Sequence, residues 1–218
     1  MNAIAVETSG TYLSFAILKN GRIAAKLFLD AGWNHENIFW RRFPPALKKT
    51  GLRLNNLDFL AATTGPGRFT GVRLGLSIIN TWAGLHQTPV FAPSVGDLMA
   101  WSCGGPSRLL RVVAFSGAYV AAEESRLKAY PALEDLFAKK APGKTVTALY
   151  YVQENLKEKT VALAKQFGFN PKEEIPSAER LLSMALAAAK TDRRWIKPPQ
   201  LPKPIYLKNT WNAPTRRK

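Results

Sequence analysis

The side chains most often used in nucleophilic catalysis and metal binding are few in this sequence and lie far apart. Its 218 residues include two histidines, His35 and His86, and one cysteine, Cys103. The histidines are 51 positions apart (86 − 35) and have no Cys or acidic companion at the spacing of a metal site. Cys103 has no basic neighbour in sequence, and no Gly-x-Ser-x-Gly motif is present. The residues therefore argue against a metal site and against a peptidase.

A glycine-rich turn is the most specific feature of the chain. Residues 64–76 read Thr-Gly-Pro-Gly-Arg-Phe-Thr-Gly-Val-Arg-Leu-Gly-Leu and join a strand-like run to a helix-like run. Glycine tolerates positive φ and proline fixes its own φ, so the chain must take a sharp path here. Gly71 and Gly75 share one helix face, where missing side chains let another helix approach closely.

The elements that must position this turn occur in two similar series. Strands are predicted at 3–8, 13–18, 23–29, 57–63, 89–92, 109–115, 119–127 and 145–151. Helices are predicted at 35–49, 69–85, 133–140, 154–167 and 178–190. Both halves run hairpin, helix, strand, helix, although the second lacks a clear third strand. The order predicts a duplicated α/β unit with mixed sheets flanked by helices, in subdomains at 1–103 and 104–191.

Composition indicates a globular protein with an attraction for polyanions. The chain is 46% hydrophobic, and 31 basic against 15 acidic side chains give a net charge of +16. Such a charge attracts nucleic acid, although a lineage-wide or solubility bias would produce the same balance. One cysteine, no signal-like start and no apolar run of about 20 residues lead us to expect a cytoplasmic protein without a membrane segment.

The last part of the chain, 192–218, is a basic, proline-rich tail that contains aromatic residues. Basic side chains interleaved with aromatic ones suit a single-stranded or looped nucleic acid. A tail strapped across the protein's own surface would have the same composition, and we favour that interpretation for 198–208. Arg216, Arg217 and Lys218 are the better candidates for contact with phosphates.

The helix after the glycine-rich turn is apolar on nearly all sides, so it must be covered on more than one face. A sheet covers only one face. The remaining cover must come from a second helix, either the one at 35–49 or a helix of another chain.

These motifs resemble the TsaB (YeaZ) family. The resemblance is carried by Gly-Pro-Gly-Arg-Phe-Thr-Gly-Val-Arg at 65–73, by Asn34-His35 and by the opening Ile4-Ala5-Val6-Glu7-Thr8-Ser9. Pro204-Ile205-Tyr206-Leu207-Lys208 is similar to the family's closing Pro-x-Tyr-Leu-Arg segment. The match is strong over 1–95, recognisable over 204–208 and weak between them.

The resemblance implies an actin-like/Hsp70 ATPase (ASKHA) fold of two RNase-H-like subdomains. It also implies a non-catalytic subunit of the machinery that makes N6-threonylcarbamoyladenosine at position 37 of tRNAs reading ANN codons. The implied partners are a TsaD-type catalytic subunit, which this chain pairs with and activates, the small ATPase TsaE, and tRNA through the complex. No cofactor is expected on this chain, whereas the wider complex uses ATP and Mg²⁺. Whether the free chain is a monomer or a homodimer stays open.

The family pairs with TsaD through its first two helices, so those of this chain are the expected partner interface. Its residues, on this hypothesis, are His35, Phe39, Phe43, Phe69, Gly71, Val72, Arg73, Gly75, Leu76, Ile79 and Trp82. On the same hypothesis, replacing Gly75 with Leu abolishes pairing and leaves the monomer folded.

Two rivals to the scaffold hypothesis remain. An ASKHA-fold ATPase or phosphotransferase would hold Mg²⁺ and phosphate with the first hairpin, where Glu7, Thr8 and Ser9 form a vestigial nucleotide hairpin. A free-standing RNA-binding module would be driven by the net charge.

The sequence also departs from the family pattern. Glu7 stands in place of the usual Asp, Thr81-Trp82 is bulkier than the usual Gly-Leu, and 112–126 lacks the Asp-Ala-Arg strand. Pro44-Pro45 predicts a break in the first helix near Phe43, because an internal proline removes a hydrogen bond.

Overall fold

A mixed six-stranded sheet organises the first part of the molecule. The computed structural model describes residues 1–103, 110–115, 118–123, 126–130, 132–138, 146–151 and 156–205. The strands of this sheet are β1 (Ala3–Glu7), β2 (Tyr12–Lys19), β3 (Arg22–Asp30), β4 (Phe59–Ala62), β5 (Val90–Phe91) and β11 (Trp195–Ile196). They are ordered β11-β5-β4-β1-β2-β3, with β1, β4 and β5 parallel. The hairpin partners β2 and β3 and the edge strand β11 are antiparallel to their neighbours.

Helices cover both faces of this sheet, which is why β1 is apolar at consecutive positions. Ile4 and Val6 face α1 (His35–Thr50) and α2 (Phe69–His86), whereas Ala3 and Ala5 face the opposite layer. That layer consists of α3 (Val95–Ser102) and α6 (Ala178–Ala187). Alternate residues of a strand point to opposite faces, so a strand buried on both sides loses its polar positions.

A second, five-stranded sheet repeats the same topology. It contains β6 (Leu110–Phe115), β7 (Ala118–Glu123), β8 (Arg126–Tyr130), β9 (Val146–Tyr151) and β10 (Asn170–Glu173). Its order, β10-β9-β6-β7-β8, matches β5-β4-β1-β2-β3 strand for strand, with the same parallel and antiparallel pairs. The helices α4 (Leu133–Ala138) and α5 (Lys157–Gln166) contribute to a small core around Phe137. The duplicated unit and the ASKHA fold class are thus confirmed.

Two predictions about the elements were wrong, and one helix was missed. The single strand predicted at 119–127 is two strands, β7 and β8, so the second unit does have a third strand. A short helix, α3, follows β5, and its start is marked by a capping box between Ser94 and Asp97. The predicted boundary at 103/104 does not hold to the end of the chain, because α6 and β11 return to the first sheet.

Helix α1 is continuous, contrary to the predicted break near Phe43. Both prolines lie inside it and are exposed, as are Trp40 and Arg41, the residues four positions earlier. The residues whose carbonyl groups lose a donor are therefore on the solvent side of the helix. Phe39 and Phe43 anchor the opposite side of the helix in the core.

The described end of the tail lies along the first subdomain, as the strap interpretation predicts. Leu201 packs against the core, and the Asn80 side chain of α2 donates to the Pro202 carbonyl oxygen at 3.0 Å. The Ile205 amide donates to the Thr64 carbonyl oxygen at 2.8 Å. The strap therefore ends beside the glycine-rich turn. Within the described ranges, none of the helices combines the length and hydropathy needed to cross a lipid bilayer.

Candidate functional site

The carboxyl group of Glu7 is turned into the protein at the end of β1. Its side chain is 2% exposed; one oxygen accepts from the Ser9 amide at 2.8 Å and the other from the Thr63 hydroxyl at 2.5 Å. Burial raises the pKa of Glu7, and the hydrogen bonds from Ser9 and Thr63 oppose that rise. Glu7 thus links β1 to the end of β4.

The residues after Glu7 are packed directly against the glycine-rich turn and α2. A methyl group at Gly67 would come within 2.5 Å of the Ser9 carbonyl oxygen, and one at Gly71 would overlap the Thr8 carbonyl oxygen. At Gly75 it would lie 2.6 Å from the Thr8 hydroxyl, which itself donates to the Gly71 carbonyl oxygen at 2.8 Å. The close approach predicted from these glycines exists, but the neighbour is the segment of the same chain that follows β1, not a helix.

This arrangement does not fit a Mg²⁺–nucleotide held by Glu7. Both carboxylate oxygens are engaged inside the protein, and the turn at Ser9 has no gap between it and the start of α2. Among the residues that the structure describes, no three His, Cys, Asp or Glu side chains gather as metal ligands would. The first hairpin therefore acts as a packing element.

His35, the first residue of α1, lies beside the same hairpin. It is buried, and burial followed by the charge of Arg68 lowers its pKa, so the ring is neutral at pH 7. Arg68 donates to the Gly32 carbonyl oxygen, and its guanidinium carbon lies 3.3 Å from the ring centroid of Trp33. Trp33 is 82% exposed. Sequence reasoning missed Thr63, Trp33 and Arg68, because only the folded chain brings them to the hairpin.

The side chains predicted to meet a partner mostly form the core between α1, α2 and β2. Phe39 stacks on Phe43 with ring centroids 4.8 Å apart, Phe43 stacks on Trp82 at 5.1 Å, and Phe15 of β2 meets Phe43 edge-on at 5.3 Å. The predicted interface residues that the structure buries are His35, Phe39, Phe43, Gly71, Val72, Gly75, Leu76, Ile79 and Trp82. The residues of α2 in this set are therefore covered by their own chain, α1 included, and not by a helix of another chain.

The structure argues against the expectation that Gly75→Leu leaves the monomer folded. A larger side chain at this position would collide with Thr8 of the same chain. The outer faces of α1 and α2 carry a different set of side chains. Leu85 is 72% exposed and Trp40 is 49% exposed, while Phe69 is half-buried and Arg73 is exposed with its guanidinium 5.0 Å from the Phe69 ring.

Two further features bear on a binding role. A cleft of about 780 Å³ lies between β2, β3 and the start of α6, where Lys26 pairs with Glu179 and Arg180 pairs with Glu174. Glu173, which also lines the cleft, pairs with Lys157, so each charged side chain of the lining has an oppositely charged partner. Arg216, Arg217 and Lys218, predicted to contact nucleic acid, lie outside the described residues.

Comparison with known sequences relates the chain to tRNA-modification proteins. The model of the TsaD family, tRNA N6-adenosine threonylcarbamoyltransferase, matches residues 30–117. The tRNA threonylcarbamoyladenosine biosynthesis protein TsaB of Escherichia coli is 28% identical over 116 residues, 52% of this chain and 50% of that protein. The tRNA N6-adenosine threonylcarbamoyltransferase of Chloroherpeton thalassium is 32% identical over 91 residues, 35% of this chain and 26% of that protein. The matched segments thus span half or less of these relatives.

Comparison with solved structures extends the likeness over nearly the whole chain. An uncharacterised Pseudomonas aeruginosa protein with similarity to the peptidase YeaZ superposes with a TM-score of 0.70 at 20% identity. The superposition covers 94% of this chain and 99% of the other. YeaZ from Pseudomonas aeruginosa gives a TM-score of 0.62 at 21% identity, over 85% of this chain and 91% of the other. At these identities the likeness shows the fold.

Proposed function

We propose that the chain is a member of the TsaB (YeaZ) family and takes part in making N6-threonylcarbamoyladenosine on tRNA; the similarity to two TsaB proteins and the match to the TsaD family model support this. Its role is that of a non-catalytic scaffold that pairs with a TsaD-type catalytic subunit and activates it. The modified residue is adenosine 37 of tRNAs reading ANN codons. The ATP and Mg²⁺ of the pathway act elsewhere in the complex, which also includes a TsaE-type ATPase.

The closed first hairpin is the observation that carries the non-catalytic part of this proposal. The ATPase or phosphotransferase alternative requires the Glu7 carboxylate to be open to Mg²⁺, which binds proteins through carboxylate oxygens. Glu7 is instead 2% exposed and bonded through both oxygens to Ser9 and Thr63. The glycine contacts with Thr8 and Ser9 stabilise the same closed form.

The part of the outer faces of α1 and α2 around Trp40 and Leu85 is the surface that we assign to the TsaD-type partner. Leu85 and Trp40 are large apolar side chains that the fold leaves exposed, and Gly84 beside Leu85 faces open space. Large exposed apolar side chains of this kind are favoured anchors in protein interfaces. The same surface would serve a homodimer of the free chain.

Size-exclusion chromatography with light scattering, on the chain mixed with the TsaD-type protein of the same organism, tests this proposal. The wild-type chain should form a stable one-to-one complex. Leu85→Glu should abolish it, because a charge would be buried in the interface. Leu186→Glu is the matched control, since Leu186 is 45% exposed on α6, away from the assigned surface.

Two outcomes would count against the proposal in different ways. Pairing by Leu85→Glu as tight as that of wild type would contradict the assigned surface and leave the scaffold role standing. A wild-type chain that ignores the partner would contradict the scaffold role. Mg²⁺-dependent ATP turnover by the isolated chain, lost in Glu7→Ala, would then favour the ATPase or phosphotransferase alternative.

A further inference from the structure

Positive and negative side chains are segregated along the first subdomain. Residues 1–103 contain ten basic and five acidic side chains. Three of the acids, Glu7, Asp30 and Glu36, belong to the end of the subdomain that carries the first hairpin and the start of α1. Asp97 is used in the capping box of α3. The opposite end therefore contains a single carboxylate, Asp58.

That opposite end brings together three segments that are distant in sequence. The turn between β2 and β3 meets the C-terminus of α1, where Lys19 donates to the Thr50 carbonyl oxygen at 2.5 Å. Asn2 accepts from the Asn20 amide at 2.9 Å and donates to the Asn56 carbonyl oxygen at 3.1 Å, which fixes the segment after α1 in the same place. We call the basic side chains gathered there the basic pole: Lys19, Arg22, Lys48, Lys49 and Arg53.

A ridge of positive charge on α1 extends the basic pole. Arg41 and Arg42 precede Lys48 and Lys49 by seven residues, or two helical turns, so each pair shares a helix face about 10 Å apart. All four are exposed, and no acidic residue lies between 37 and 57. The ridge and the pole together contain seven basic side chains.

These charges exceed what local stabilisation requires. Lysines in the last turn of α1 favour the negative end of the helix dipole, and Lys19 satisfies one terminal carbonyl group. Among the residues that the structure describes, however, none of the seven makes an ion pair with a carboxylate. Asp58, the one acid nearby, accepts a hydrogen bond from the Asn2 amide at 2.6 Å. Unpaired like charges repel one another, so their concentration here favours a polyanionic ligand.

We propose that the basic pole, with the ridge on α1, binds the phosphate backbone of RNA. The inference rests on the proposed function for the identity of the polyanion, which is tRNA. Such contacts position an RNA without reading its sequence, so the surface would hold tRNAs of many sequences alike. It would act independently of residues 206–218.

Binding of fluorescently labelled tRNA to the isolated full-length chain, followed by anisotropy over a series of salt concentrations, tests the basic pole. The pole variant carries Lys48→Gln, Lys49→Gln and Arg53→Gln. Its Kd should be roughly tenfold higher than that of wild type, and its plot of log K against log[salt] should be shallower by up to about 3, as expected when three phosphate contacts are lost. The control carries Lys159→Gln, Lys165→Gln and Lys172→Gln, exposed residues of the second subdomain, and has the same net charge.

Each outcome decides for or against the pole. Weaker binding by the pole variant, with a control variant that stays close to wild type, supports the pole. Equal weakening of both variants overturns it in favour of a general charge effect, and wild-type affinity in both overturns it outright. A pole variant that binds tRNA normally but no longer pairs with the TsaD-type protein overturns it in favour of an acidic protein partner. Because the isolated chain is used, the tRNA-binding result can be interpreted even if the scaffold proposal fails.

Discussion

Glu7 makes the stability of the protein depend on pH in a definite direction. Burial raises its pKa above the ordinary value of 4.5, so the folded state holds the proton more tightly than the unfolded state does. The free energy of unfolding should therefore fall as pH rises from about 4.5 through the folded-state pKa. His35 acts oppositely: its pKa is lowered, so its contribution is lost as pH falls below about 6.5.

Glu7→Gln separates these two effects because it removes only the first titration. As pH rises from about 4.5 through the folded-state pKa of Glu7, the free energy of unfolding should decrease less in Glu7→Gln than in wild type. Urea denaturation at several pH values measures the difference. Glu36→Gln, an exposed carboxylate in the first turn of α1, is the control. Identical pH profiles for Glu7→Gln and wild type would contradict the buried, raised-pKa carboxyl group.

Gly71 and Gly84, both in α2, should respond oppositely to the same substitution. Gly71→Ala places a methyl group on the Thr8 carbonyl oxygen, a backbone atom that cannot turn aside, and should cost about 1–3 kcal/mol or more. Gly84→Ala meets nothing within 4 Å and should stabilise the helix by about 0.5–1 kcal/mol. Thermal unfolding of the two variants provides the test. Equal effects would show that α2 does not contact the end of β1 as described.

The sequence allowed us to predict which residues pack closely, but not which groups they pack against. The Gly71/Gly75 spacing indicated a close approach correctly, because helix geometry is local. It could not indicate that the approaching group is Thr8, since that depends on where β1 ends in the folded sheet. For the same reason, buried Phe39, Phe43 and Trp82 resembled an interface: an apolar helix face has the same pattern whether its own chain or another covers it.

Helix α1 tolerates its two prolines because they face solvent. Replacing Pro44 with Ala restores a donor for the Trp40 carbonyl group and should stabilise the protein by up to about 3 kcal/mol, less the entropy that proline removes from the unfolded chain. Urea denaturation measures the change. Destabilisation would mean that the proline fixes the shape of α1 by more than its missing hydrogen bond costs.

Elements with a strong apolar period, or with clear turn residues at their ends, were predicted well, whereas short elements were not. α2 and the β2–β3 hairpin follow directly from apolar patterning and the Gly21 turn. β7 and β8 were merged because Glu124-Ser125 between them contains no Gly, Pro or Asn to signal a turn. α3 could have been found from Ser94 and Asp97, whose spacing is that of a capping box.

After residue 177 the chain returns from the second sheet to the first. α6 and β11 complete the first subdomain, and the strap brings Ile205 to Thr64 beside the glycine-rich turn. No sequence pattern reveals such a return, because α6 has the composition of any amphipathic helix. The repeat of sheet order was predictable, whereas the assignment of 178–205 to the first sheet depended on long-range packing.

Removal of residues 212–218 should separate the role of the basic end of the tail from that of the fold. The strap contacts of Pro202 and Ile205 are retained, so the melting temperature should change little. tRNA binding by the complex should weaken with a shallower dependence on salt, because Arg216, Arg217 and Lys218 are lost. Unchanged tRNA affinity in filter binding over a salt series would assign this end of the tail no part in RNA contact.

The central claim is that this chain activates a TsaD-type subunit without catalysing the reaction itself. The most direct measurement is the rate of N6-threonylcarbamoyladenosine formation on tRNA by the TsaD-type protein and TsaE, with the other components of the reaction supplied, in the presence and absence of this chain. We predict that adding the chain raises the rate strongly and that Glu7→Gln raises it equally. A rate that is unchanged by the chain, or an increase that Glu7→Gln abolishes, would contradict the account.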